Sequence, residues 1–249
     1  MKLSEIFSQL TSGEFSQLAV GGAKKGGIAE ADHHKVLDNV NLGLMDLHSR
    51  FTIRKGRLVL ALQPGKQSYS LTKAFAETNL RSRELVRYIK DSVEEPFLDD
   101  LIKVEQVLTQ AGFEFPLNID GNSVSIHTPS ATTLRLPKIM VVGNVSDRPD
   151  YLKTSELEVF YRATHPQIVK PIGYFDPSRV EVQLPRVYLQ ALLLYVAARV
   201  LAPVGLGQEF YSGSVYSQKY EQECARLASA NVEIDTAVQN TRAERNGWV

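Results

Sequence analysis

The chain has 249 residues, enough for one large domain or two small ones with a self-sufficient core. Acidic and basic residues balance at 28 each, which argues against a dedicated nucleic-acid binder with its usual basic excess. The single cysteine, Cys224, has no disulfide partner, so a reducing compartment and a buried structural thiol are expected.

In chain order, Leu3, Ile6, Phe7 and Leu10 have the spacing of a short amphipathic helix, with Phe15 and Leu18 extending its apolar face beyond Gly13. The N-terminus has no apolar signal core, and no window approaches the roughly 18 to 20 apolar residues of a membrane span. Together with the cysteine count, this predicts a soluble product of the cell interior, unless an assembly carries it out. The run Gly21-Gly22-Ala23-Lys24-Lys25-Gly26-Gly27 raises the question of a phosphate-cradling loop. It lacks the spacing of a nucleotide-binding loop, no strand leads into it and no Ser or Thr follows the lysines, so it reads as a flexible connector.

From 29 to 51 a helix of five to six turns is predicted, with Val36, Leu37, Val40, Leu44, Leu47 and Phe51 on one face and Asp32 capping its start. His33, His34 and His48 lie within it. Adjacent histidines point about 100° apart on a helix, and none of the three stands three or four residues from another, so structural or solvated roles are favoured over a metal site.

After Gly56 the period changes to two. Leu58, Leu60 and Leu62, the dipeptide Pro64-Gly65, and then Tyr69 and Leu71 predict a β-hairpin. The polar stretch 73–95 is harder to assign: 80–92 fits either a short helix with Leu85, Val86 and Ile89 inward or a surface excursion. The stretch 101–109 fits a strand with Ile102, Val104 and Leu108 on one face or a helix; its β-branched content and the alternation over 112–118 favour the strand and a second hairpin, followed by a third turn at Asp120-Gly121. Further short strands are expected over 124–128, 133–137, 139–142 and 157–162. His127 and His165 fall in this β-rich region without ligand-type neighbours, and Asp176 reads as a solvated loop carboxylate.

Leu184-Pro185 then enters a helix reaching Ala202, with Pro185 in the first turn and apolar residues on nearly every side, so it should be buried. After a break over 203–213, a second helix is predicted from about 215 to 240. Its Tyr216, Tyr220, Cys224, Leu227, Asn231, Ile234 and Val238 form one apolar stripe on a polar rod, and the two helices read as an αα-hairpin. The polar tail Arg242-Ala243-Glu244-Arg245-Asn246-Gly247-Trp248-Val249 ends near the only tryptophan, a residue type enriched among interface anchors. The expected fold class is α+β: a helical bundle from 1–55 and 180–249, with an inserted antiparallel β-rich domain over 56–179. No catalytic motif stands out.

Met1-Lys2-Leu3-Ser4-Glu5-Ile6, Gly13-Glu14-Phe15-Ser16-Gln17-Leu18 and Asn41-Leu42-Gly43-Leu44-Met45-Asp46-Leu47-His48-Ser49-Arg50-Phe51 resemble the opening of the phage head-to-tail adaptor family, the tail-tubular-protein-A-like group of short-tailed phages. Val159-Phe160-Tyr161-Arg162-Ala163 and Leu192-Leu193-Leu194-Tyr195-Val196-Ala197-Ala198-Arg199, followed by a helix through Tyr216 to Glu223, extend the resemblance over most of the chain. The resemblance implies a virion neck protein assembled in the host cytoplasm. Its partners would be copies of itself in a ring, usually of twelve, the portal protein, and a tail tube or nozzle protein.

Genomic double-stranded DNA would pass through the channel without sequence-specific binding. No cofactor, metal, membrane or enzymatic activity is implied. C-terminal segments of related adaptors reach the portal, which makes Arg242, Arg245, Trp248 and Val249 the portal-contact candidates. Gln218, Gln222 and Arg226, on the polar flank of the last helix, are the subunit-contact candidates. On this reading 21–27 and 73–95 order only on assembly. Competing readings are another tail or neck structural protein, and a small nucleotide- or metal-dependent enzyme using 21–27 or His33 and His34.

Overall fold

A computed structural model describes residues 1–15, 19–20, 27–28, 33–142, 148–169, 175–201 and 208–230. The chain divides into two compact units. One comprises Met1–Ile53 and His165–Asp235, and the other, among the described residues, Arg54–Thr164. The class is mixed α+β.

The first unit opens with helix α1, Leu3–Ser12, whose Leu3, Ile6, Phe7 and Leu10 are all buried, as their spacing predicts. Gly13 ends it by donating its N–H to the Gln9 carbonyl at 2.8 Å, and Phe15 folds back into the core. Strands β1, Ala19–Val20, and β2, Gly27–Ile28, pair in parallel over two residues each. Helix α2, His33–Arg50, buries Val36, Leu37, Val40, Leu44 and Leu47, with Phe51 just past its end. The expected cap at Asp32, the apolar Leu18 and the connector at 21–26 lie outside the described residues.

In the second unit, β3 (Lys55–Ala61) lies inside a four-stranded antiparallel sheet, where β9 (Glu156–Ala163) pairs with it over its whole length. The sheet is completed by β5, Ile89–Lys90, outside β3, and by β6, Leu101–Thr109, outside β9. A three-stranded antiparallel sheet runs in the order β4 (Ser68–Ser70), β8 (Thr133–Arg135), β7 (His127–Ser130).

The hairpin expected across Pro64-Gly65 does not form. The turn is present, with Gly65 at φ +74° and Lys66 N–H on the Gln63 carbonyl at 3.2 Å, but it sends β3 and β4 into different sheets. A turn dipeptide fixes a change of direction. Pairing is decided by which neighbours bury each face. The second hairpin is short and tight: Gly112 N–H reaches the Thr109 carbonyl at 2.9 Å and Thr109 N–H the Phe113 carbonyl at 2.9 Å.

In β6 the buried residues are Val104, Val107 and Thr109, not Ile102, Val104 and Leu108. Register shifts against β9 fall between Leu101 and Lys103 and between Val104 and Gln106, and each extra residue flips the inward parity. By contrast β9, with no interruption in its pairing to β3, buries Leu157, Val159, Tyr161 and Ala163 in strict alternation.

One further expectation is corrected. The strand over 139–142 is instead a 3₁₀ turn, Lys138–Met140, capped by Pro137; Ile139 and Val142 are exposed, so no apolar face is available to hold a strand there. The stretch 73–95 has a defined path, through a 3₁₀ turn at Lys73–Phe75 and then β5. Leu85 and Val86 point outward, which is the surface excursion; only Ile89 is buried.

The chain rejoins the helical unit at His165, ahead of position 180. Asn41 of α2 explains why: its amide donates to the Ile168 carbonyl at 2.9 Å and accepts from the Ile168 N–H at 3.0 Å. Nearby, Leu3 N–H bonds to the Val180 carbonyl at 3.0 Å and Val182 N–H to the Met1 carbonyl at 2.8 Å, fastening the approach to the last two helices.

Pro185 caps a 3₁₀ turn, Arg186–Tyr188, ahead of α3, Leu189–Leu201. Eight of the thirteen α3 residues are buried, so it is the central rod of the unit. The α2 backbone comes close to it at Gly43, where a Cβ would stand 2.7 Å from Leu192 Cδ1 and 2.9 Å from Tyr195 Cδ1. Helix α4, Gln208–Ser229, starts well before the expected position 215, because Gly213 is a buried interior residue rather than a stop. Tyr220, Cys224 and Leu227 supply its buried stripe; Asn231, Ile234 and Val238 lie outside the described residues.

Candidate assembly surface

Helix α4 turns one face inward and leaves one outward. Gln218, Gln222 and Arg226 recur at four-residue intervals and are all exposed, forming the polar flank that their spacing predicts. Gln222 and Arg226, together with Lys219 and Tyr216, line an open groove of about 460 Å³ whose other wall comes from Gly13 and Glu14 after α1 and from Gln190 and Leu194 of α3. Gln218 stands outside that groove. The Lys219 ammonium lies 5.4 Å from the Tyr216 ring centroid. Arg226 is not a bare charge: it forks onto Glu223, one turn earlier, at 2.7 and 2.8 Å, and holds that carboxyl below the usual range. The flank is therefore a polar surface with its charges locally balanced, suited to a contact made by shape and hydrogen bonds.

The inner side of α4 is locked to α2. Arg50 donates to both Glu221 oxygens, at 2.7 and 2.8 Å, and pairs with Asp46 at 2.8 Å. Tyr220 donates its hydroxyl to Asp46, and the Arg50 guanidinium lies 5.2 Å from the Tyr220 ring centroid. The Glu221 hydrogen bond raises the Arg50 pKa; burial, then the Asp46 bond, raises that of Tyr220. Burial also pushes the Cys224 thiol up, which keeps it protonated and unreactive. The outward flank thus sits on a helix fixed along its opposite edge.

A second concavity, about 660 Å³, belongs to the β unit and includes Arg54, Asp100, Tyr161 and Leu98 in its lining. Asp100 accepts from the Tyr161 hydroxyl at 3.0 Å and from Arg54 at 2.7 Å; Arg54 also reaches the Thr164 carbonyl at 3.0 Å. Burial, reinforced by Asp100, raises the Tyr161 pKa, so its hydroxyl stays a donor. Each group of this trio is answered by another, which gives it the character of a structural network.

The histidines do not converge on a ligand. His33 is half-buried with its ring 5.2 Å from Phe7, while His34 is exposed. His48 is fully buried, its Nδ1 2.7 Å from the Leu44 carbonyl, and its ring meets that of His165 edge-on at 5.5 Å. His165 places Nδ1 2.6 Å from the Pro166 carbonyl and accepts the Gln183 N–H on Nε2 at 3.0 Å. Among the described residues, no three His, Cys, Asp or Glu side chains gather where they could hold a metal. No described helix is long and apolar enough to cross a membrane.

Of the candidates named from the sequence, the structure brings Gln222 and Arg226 to one groove and places Gln218 on the same flank. Arg242, Arg245, Trp248 and Val249 lie outside the described residues. Sequence reasoning missed Glu14 and Gln190, which join the groove only through tertiary packing. Leu80 and Leu85 point outward, as the surface-excursion reading of 80–92 has it.

Comparison with protein-family models gives no match, and neither does comparison with curated protein sequences.

Proposed function

We propose that this chain is a structural protein of the virion neck: a head-to-tail adaptor that assembles as a ring, joins the capsid portal to the tail and surrounds the path by which DNA leaves. The reading rests on the resemblance of its helical segments to the adaptor family. The observation that carries it is the flank of α4. Gln218, Gln222 and Arg226 form an exposed line beside an open groove, on a helix whose other edge is pinned to α2 by Arg50 and Glu221. A ring needs heterologous contacts that close on themselves, and a rigid polar flank facing a groove is surface of that kind. The balance of 28 acidic against 28 basic residues also favours a conduit over a DNA grip, since phosphate contacts would act as salt-dependent brakes.

On this reading Arg242, Arg245, Trp248 and Val249 meet the portal, and a tail tube or nozzle protein is held on the other side. Negative-stain imaging of the purified protein mixed with portal tests it. Rings, or portals capped by an added layer, are the expected images, and portals left bare at saturating protein would refute it. Deleting 242–249 should leave a folded protein that caps portal poorly; undiminished capping by that truncation removes the tail from the proposal.

A further inference from the structure

In the β unit, the excursion between Lys73–Phe75 and β5 presents apolar side chains to solvent: Leu85 is 100% exposed and Leu80 82%. Around them Arg81 and Arg83 are exposed and have no carboxylate partner among the described residues. The excursion is also held in place. Asn79 donates to the Lys73 carbonyl at 2.9 Å, Ser82 to the Ala74 carbonyl at 2.5 Å, and Arg87 to the Glu77 carbonyl at 3.4 Å. Leu85 is therefore the outer part of an arm fixed at both ends, so it is not free to fold back over its own unit.

The cleft of about 660 Å³ in the same unit has the opposite character. Three cations of its wall are neutralised within the unit: Arg54 by Asp100 at 2.7 Å, Arg57 by Glu158 at 2.9 Å, and Lys90 by Glu156. Its lip carries Glu94 and Glu95, exposed and in no ion pair among the described residues, with the exposed apolar Leu98 beside them; Glu94 is hydrogen-bonded only to the Ser92 hydroxyl and its own main chain. The arm thus offers two unanswered guanidinium groups around an apolar tip. The lip offers two carboxylates without a cation beside an apolar side chain.

We infer that the arm of one copy docks against the cleft of a second copy, with Arg81 and Arg83 on Glu94 and Glu95, and Leu85 against Leu98. Arm and cleft are different surfaces, so the contact is heterologous and passes from copy to copy. Such a contact either closes into a ring or runs on as a filament. The inference rests on the ring reading above and adds to it a second subunit contact, made by the β unit. Because all four charged residues are exposed, reversing them leaves the core untouched.

The test uses the full chain and two charge-reversed variants, Arg81→Glu with Arg83→Glu, and Glu94→Arg with Glu95→Arg, compared by sedimentation velocity over a concentration series. Wild type should self-associate. Each variant alone should do so at least tenfold more weakly, and an equimolar mixture of the two should recover the wild-type behaviour, because each then meets its complement. A wild type that stays monomeric throughout, variants that associate like wild type, or a mixture that fails to recover would each overturn the inference. Portal imaging separates this outcome from failure of the adaptor reading. Self-association that depends on the reversals in a protein that ignores portal sinks the adaptor reading and keeps the arm contact. Portal capping together with self-association indifferent to the reversals does the opposite. A variant that self-associates normally but loses portal capping assigns the arm to the portal instead, and the inference falls.

Discussion

Gly56 and Tyr161 are cross-strand partners in β3 and β9, and the tyrosine ring occupies the space a side chain at 56 would need. A Cβ on Gly56 would stand 2.1 Å from Tyr161 Cζ and 2.4 Å from its hydroxyl oxygen. That same hydroxyl donates to Asp100 at 3.0 Å. Gly56→Ala must therefore displace the ring and break the Asp100 hydrogen bond together. A loss of about 1–3 kcal/mol is expected for overpacking of this kind, read from the urea midpoint. A variant as stable as wild type would mean that the ring moves freely and that the network with Asp100 is not holding it.

Arg50 and Glu221 join α2 to α4 by a two-pronged bond, but the Arg50 side chain is 37% exposed and that of Glu221 60%. Solvent screening limits such a pair to about 1 kcal/mol or less. Arg50→Lys keeps the charge and loses the fork, so it should cost most of what Arg50→Ala costs through this pair. A double-mutant cycle with Glu221→Gln, run at low and high salt, measures the coupling; it should shrink as salt rises.

Acid should weaken the β unit through Asp91. Burial works against its charge, but the Thr78 hydroxyl at 2.5 Å and the amides of Phe97 at 3.0 Å and Thr78 at 2.9 Å outweigh it, so its pKa lies below the usual value. A carboxyl depressed on folding contributes fully above its unfolded pKa, about 3.9, and loses that contribution as pH falls through the folded value. Asp91→Asn should lower stability at pH 7 and flatten the fall below about pH 4. Parallel melting curves for the two proteins at pH 7 and pH 3 decide it: an equal drop in both would rule Asp91 out as the source.

Asn41 answers both the N–H and the carbonyl of Ile168, so Asn41→Ala leaves two main-chain groups without their partner. The expected cost is about 1–3 kcal/mol. Faster amide exchange in 165–169, with exchange in the β strands unchanged, would show that the loss is confined to the helical unit.

The helices were legible because a 3.6-residue period marks an inward face whatever lies opposite: every position assigned to the α2 face is buried, as are Leu3, Ile6, Phe7 and Leu10 of α1. A period of two marks a strand but does not name its partner. So β3 and β4 were visible as strands, while their separation into two sheets was not. In β6 the bulges broke the parity on which an inward face is assigned, and Ile102 and Leu108 stand where alternation would not put them. The polar flank of α4 followed from spacing alone, since Gln218, Gln222 and Arg226 alternate with its buried stripe. Glu14 and Gln190 did not: only the packing of α1 and α3 brings them to the same groove. Leu85 resisted for another reason. An apolar residue among arginines and a glutamate fits a helical face or a loop equally well, and the fold chose the loop.

The pairing of Lys55 with Arg162 sets an order on the ribosome. The β3 strand cannot complete its four-stranded sheet until β9 has emerged, although the sheet of β4, β8 and β7 lies wholly between them and can pair earlier. Once β9 has emerged, the unit Arg54–Thr164 has its sequence in hand, while α3 and α4 are still to be made. Until α3 is made, α1 and α2 carry an uncovered apolar face, since α3 is the rod they pack against. The nascent chain must therefore protect its first-made helices through the synthesis of its whole middle, and that interval is where a chaperone would have most to do.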